Sequence, residues 1–197
     1  MSNEKIATAD TVSSGLTCGT RSGEDALALG KFTMTCYDKD GKLKWTAEEK
    51  NLVVNVGLQY MCGTGLTSTT QITTWYIGLY GPGATNSPNA TDTMLSHGAQ
   101  GAGGWTEVVP YSNATRPACT FVAATNANPS VATSAASPAA FTINATQVVG
   151  GAFLVSNSTK SGTTGTLFSA ADFSSPGDRS VVSGDTLNVT YTLSLAG

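Results

Sequence analysis

The chain has 197 residues with a formal net charge of -3 and a pI near 5.0, so it lacks the basic footprint that nucleic acid or an anionic membrane surface requires. Apolar residues make up 40%, enough for one packed domain, while charged residues are only 12%, about half the usual quarter. No apolar run approaches the roughly 20 residues that span a bilayer.

The charge is concentrated at one end. Residues 1–50 carry most of the lysines, arginines, aspartates and glutamates, and from residue 51 onward only Asp92, Glu107, Arg116, Lys160, Asp172, Asp178, Arg179 and Asp185 remain. A surface left to Thr, Ser, Asn, Ala and Gly does not repel neighbours, which suits a protein that works beside copies of itself or against a larger assembly. Residues 1–30 show neither helical nor strand periodicity and read as an extended N-terminal arm, leaving 31–197 as a single β-rich domain. The first residues have no basic stretch followed by an apolar one, so synthesis in the cytoplasm without a secretory signal is expected.

In chain order, Phe32, Met34 and Cys36 alternate with polar residues, an Asp-Lys-Asp-Gly turn follows, and Leu43 and Trp45 alternate with lysines. That is a β-hairpin pattern. Residues 47–62 predict a short helix, with acids in a first turn and Leu52, Val53, Val56, Tyr60 and Met61 near helical spacing, stopping at Gly63; the Val53-Val54 pair could make its start a strand. Beyond it the pattern is all β. Strands are expected over 72–80, 105–109, 119–125, 140–144, 148–155 and 165–173, with a Gly-rich loop over about 81–104. The Gly150-Gly151 pair predicts a bulge or a close backbone approach. The last strand is the clearest, with Leu187, Val189, Tyr191, Leu193 and Leu195 alternating with polar residues. Many short strands with Gly, Pro and Asn turns predict a mainly β protein, an antiparallel β-sandwich or jelly-roll-like domain.

Catalytic chemistry finds few residues to use. His97, the single histidine, sits in the Gly-rich loop without the neighbours of a triad and reads as a loop or packing residue, with a catalytic base or an interface pH switch as the alternative. Asp38-Lys39-Asp40-Gly41 begins like a calcium loop, but its Gly comes early and position 47 is Ala, so a hairpin turn is expected. Asp172, Asp178 and Asp185 fall at turns. Cys18, Cys36, Cys62 and Cys119 are too widely spaced for a zinc site. They read as buried thiols or as candidate disulfides formed outside the cell, with Cys18 in the arm the natural partner between subunits. Neither Gly-rich stretch ends in the Gly-Lys-Ser/Thr of a phosphate-binding loop. No catalytic residue, metal or cofactor is expected. Trp45, Trp75, Tyr76, Trp105 and Phe121 sit among strand-like apolar residues and read as core or interface packing before a carbohydrate platform; Trp75, Tyr76, Trp105 and His97 are the candidate interface residues, and Trp105 is the one a glycan-binding module would use.

The runs KNLVVNVGLQYMCG, TTWYIGLYGPG, TDTMLSHGAQGAGGWTEVVPYSNATRPA, VVGGAFLVS and GTLFSAADFSSPGDRSVVSGDTLNVTYTLSL resemble a family of tailed-bacteriophage virion structural proteins over roughly residues 45–195. The resemblance implies a non-enzymatic decoration, or cement, protein on the outer capsid surface, made in the host cytoplasm and partnered by the major capsid protein. A homo-oligomer, a trimer for preference, would match threefold positions of the shell. A tail, baseplate or fibre component is the first alternative, and a receptor- or glycan-binding module the second.

Overall fold

The structure is a computed structural model that describes residues 27–82, 87–97, 105–173 and 177–197. Its first two strands, β1 (Leu27–Tyr37) and β2 (Leu43–Val53), form the expected antiparallel hairpin. The strand begins at Leu27 rather than Lys31, because residues 27–30 continue the same ladder, so these four residues belong to the sheet and not to the expected arm. The rest of the segment expected to be an arm, residues 1–26, lies outside the described residues. The turn is built by Asp38, whose Oδ1 accepts the amides of Asp40 and Lys42, both at 2.9 Å, with Gly41 at φ 78°. Those amides hold the Asp38 carboxyl below its ordinary range, so the carboxylate serves the turn.

The helix expected over 47–62 is displaced. Residues 47–53 belong to β2, where buried Ala47, Glu49 and Val53 alternate with exposed Thr46, Glu48, Lys50 and Leu52. Period two therefore governs this stretch, and cross-strand partners from β1 override its helical spacing. Helix α1 occupies Asn55–Leu66 and runs past Gly63 and Gly65. Gly57, its one buried residue, lies on the Phe168 carbonyl, where any Cβ would collide. A short α2 (Met94–His97) follows in the segment expected to be loop.

The remaining strands are β3 (Trp75–Tyr80), β4 (Ala118–Cys119), β5 (Ser130–Thr133), β6 (Ala139–Thr142), β7 (Gln147–Val149), β8 (Gly151–Val155), β9 (Leu167–Asp172), β10 (Arg179–Val181) and β11 (Thr186–Ala196). The main sheet runs β4-β3-β8-β9-β2-β1-β11-β5, with β6 also on β11, and every pairing is antiparallel. It curls at β2, whose last residues, Leu52 and Val53, pair with β9. Two layers result: a first sheet of β2, β1, β11, β5 and β6, and a second of β9, β8, β3 and β4. This is the expected mainly β, sandwich-like architecture.

Two of the expected strands shrink. Residues 105–109 make only a bridge from Glu107 to Tyr80. Of 119–125 only Cys119 is in a strand, yet the Val122 and Thr125 amides bond the Thr133 and Val131 carbonyls, covering the β5 edge. The 148–155 strand divides at Gly150, whose missing Cβ admits the Gly81 carbonyl, the close approach its glycine pair foretold. Strand β5 arises in the Ala-, Ser-, Asn- and Pro-rich segment between two expected strands, and β10 between Asp178 and Asp185, both expected at turns.

The main core lies between the layers and joins Phe32, Met34, Leu187, Val189 and Tyr191 to Ile77, Leu79, Leu154 and Phe168. A second cluster of Val54, Tyr80, Met94, Trp105, Phe153, Val155 and Leu167 covers the far side of the second sheet.

Candidate interaction surface

The outer face of the first sheet follows from strand alternation. With Phe32, Met34 and Cys36 turned inward, Thr33 and Thr35 must face outward, and the register sets Thr33 opposite Thr190 and Thr35 opposite Thr46. Thr186 meets Thr142 and Thr192 meets Thr133, whose hydroxyl oxygens stand 2.8 Å apart. Across β1, β2 and β11 the charge on this face is carried by Lys31, Glu48 and Lys50, with Lys44 at the bulged end of β2 paired to the buried Asp185. Lys31 donates to Glu48 at 3.0 Å and holds its carboxyl below the ordinary range, but both side chains are about half exposed, so the pair adds little stability. The face is thus a hydroxyl-rich, nearly neutral plane on a rigid hairpin.

Beneath the opposite sheet lies a different arrangement, which the sequence did not reveal. Glu107 and Arg116 are both buried and form a forked pair at 2.9 and 2.7 Å. Arg116 also donates to the carbonyls of Asn157 and Gly162, and Glu107 accepts the Ser161 amide at 2.7 Å, holding Ser161 at a left-handed φ of 56°. The pair pins the 157–162 loop over Phe153, whose ring the guanidinium overlies at 5.2 Å. All its polar atoms look inward, so it is a staple rather than a reacting centre. Two isolated charges nine residues apart carry no sequence signal of such a contact.

The four interface candidates do not come together. Trp105 is 1% exposed and stacks on Tyr80 with ring centroids 4.8 Å apart, so of the packing and interface readings it is core, and the alternative glycan platform is corrected. Burial by Met94 and Phe153 accounts for this: the chain after the Gly-rich loop returns across the second sheet. Trp75 is half-buried and wedged edge-on between Tyr60 and Phe168. Tyr76, the next residue on β3, turns to the opposite side and packs on the second cluster. His97 ends α2, and its side chain lies outside the described residues.

The described cysteines are free thiols: Cys36 and Cys119 buried, Cys62 exposed on α1. Burial pushes the Cys119 thiol up to about 12; burial and then Asp185, 3.8 Å away, do the same for Cys36. Both are protonated and inert at neutral pH. Cys18 lies outside the described residues. Among the described residues no group of His, Cys, Asp and Glu could hold a metal ion, and no helix is long and apolar enough to cross a membrane. No family model, curated protein or solved structure matches the chain.

Proposed function

We propose that this protein decorates the outer surface of a bacteriophage capsid and stabilises the assembled lattice of the major capsid protein. The observation that carries the reading is the outer face of the first sheet, where the Thr33–Thr190 and Thr35–Thr46 pairs present hydroxyls and methyls with almost no charge. A neutral hydroxyl face loses little on desolvation compared with a lysine- or glutamate-rich one, so it can lie against a large protein surface. The hairpin beneath it is anchored by Phe32, Met34 and Tyr191, so little conformational entropy is lost on docking. The resemblance over residues 45–195 supplies the partner.

The mechanism is mass action. A subunit whose face spans neighbouring shell proteins binds the assembled lattice and not the free subunits, so every bound copy shifts the equilibrium towards the lattice. Repetition over the shell multiplies a modest affinity per site. The same charge-poor face would serve contacts between copies in a homo-oligomer at a symmetric position.

Copy number per virion, measured by quantitative mass spectrometry against the major capsid protein, tests this. Hundreds of copies support decoration. A dozen or so would move the protein to the tail or a vertex, and absence from purified particles would discard any virion role.

A further inference from the structure

The main core is not sealed where helix α1 meets the sandwich. A pocket of about 210 Å³ lies there between the two layers, walled by Tyr60 and Met61 of α1, Trp75 and Phe168 of the second sheet, Tyr191 of the first, and Phe121. Among the described residues, the half-buried apolar side chains packed on the main core all converge here, apart from Trp45. Their incomplete burial is one shared opening. The five rings meet edge to face: Tyr60 with Trp75 at 5.4 Å, Trp75 with Phe168 at 5.3 Å, Phe168 with Tyr191 at 6.1 Å and Tyr191 with Phe121 at 6.0 Å between centroids. The helix is in no position to move inward and fill the space. Gly57 already sets α1 against the Phe168 carbonyl, and the Ile72 amide donates to the Tyr60 hydroxyl at 2.7 Å, tying the following loop to the helix. The pocket is therefore preformed.

We propose that this pocket binds a small, uncharged aromatic molecule of one ring that carries a hydrogen-bond acceptor. Volume sets the size: a cavity of roughly 150 Å³ already admits benzene, so about 210 Å³ takes one substituted ring. The surrounding rings set the shape, because a planar guest extends the edge-to-face pattern that aromatic quadrupoles favour. None of the lining residues is charged, so a carboxylate or an ammonium would enter without a counter-charge. A sugar fits poorly as well. Thr64 already donates to the Tyr60 and Met61 carbonyls at 3.0 and 3.2 Å, which leaves the Tyr60 hydroxyl and Gln71 for a guest with several hydroxyls. Tyr60 supplies the specific contact: its oxygen accepts from Ile72, and its own O–H is left to donate to the guest's acceptor. Tyr191 and Leu193, the lining residues from β11, turn away from the threonine face, so this inference does not rest on the capsid reading.

Fluorine NMR on the full-length protein tests this, with para-fluoroacetophenone, para-fluorotoluene and para-fluorobenzoate as probes. The ketone and the toluene should bind saturably and compete with each other, while the benzoate binds at least about tenfold more weakly. Tyr60→Phe should weaken the ketone about fivefold, the loss of one neutral hydrogen bond, and leave the toluene unchanged. Leu193→Trp should fill the pocket and abolish binding of both. A cooperative melt shows that each variant folds, and if Leu193→Trp does not, Tyr60→Phe still decides. The proposal is overturned if neither the ketone nor the toluene binds saturably, if the benzoate matches the ketone, or if Tyr60→Phe leaves the ketone's affinity unchanged. Absence of ring binding together with shielding of Trp75 on assembled particles also overturns it, and would assign the pocket to a protein side chain.

Discussion

The two layers of the sandwich solve the problem of their second face differently. Strands β1 and β11 bury every other residue, so one face packs inward and the other meets solvent with threonines. Strands β8 and β9 are buried almost without interruption, because Met94, Trp105 and the Arg116 staple close over the side that faces away from the main core. An antiparallel sheet does not need two covered faces, and the chain supplies the cover from irregular segments. The layer that pays for no cover is the one free to meet a partner. The second layer supports it from behind.

Breaking the cover should have the largest effect. Glu107→Gln or Arg116→Met leaves an uncompensated buried charge and frees the 157–162 loop, with an expected loss of about 3–5 kcal/mol in chemical denaturation. Trp105→Ala should cost a similar amount, about 3–5 kcal/mol, because it empties a stacked position between Tyr80 and Phe153. A Trp105→Ala variant that keeps full stability would show that the second cluster is not a core.

High pH should act on both layers at once. Cys36 sits under the first sheet and Cys119 at the edge of the second, each raised by burial from an ordinary value of 9.0 to about 12, and Tyr191 is raised to about 12 as well. An acid whose folded pKa lies above its unfolded one binds more protons when folded. Its contribution is complete below about pH 9 for the thiols and is lost as the pH rises through about 12. Melting temperature should therefore fall steeply above pH 9, and Cys36→Ala with Cys119→Ala should flatten the fall; a profile unchanged by the double variant would contradict the burial of these thiols.

How much of this was legible in the sequence follows the same division. Period two in residues 32–36 and 187–195 marked the first sheet, and with it the outward threonines between the core residues. The second sheet had only apolar runs, which give a strand no facing. Trp105 read as a packing or interface aromatic of a short strand, but which residues it packs on was not legible, because its partners, Tyr80 and Phe153, are distant in sequence. Residues 47–53 misled for a related reason: spacing fit a helix locally, and only pairing with β1 makes them a strand.

The smallest effect on stability should accompany the most telling effect on function. Thr190 lies at the middle of the outer face, opposite Thr33, and its hydroxyl makes only a 3.4 Å contact to the Thr33 carbonyl. Thr190→Lys should change unfolding free energy by no more than about 0.5 kcal/mol, as for most surface sites. On a partner surface, however, a buried lysine without a carboxylate brings a desolvation cost on the order of several kcal/mol, enough to empty most sites. Occupancy on particles, read against Thr190→Ser, should therefore collapse for lysine and hold for serine. Equal occupancy of the two variants would separate the threonine face from binding and move the search to the rim around Leu27 and Leu29, where the same sheet exposes leucine rather than hydroxyl.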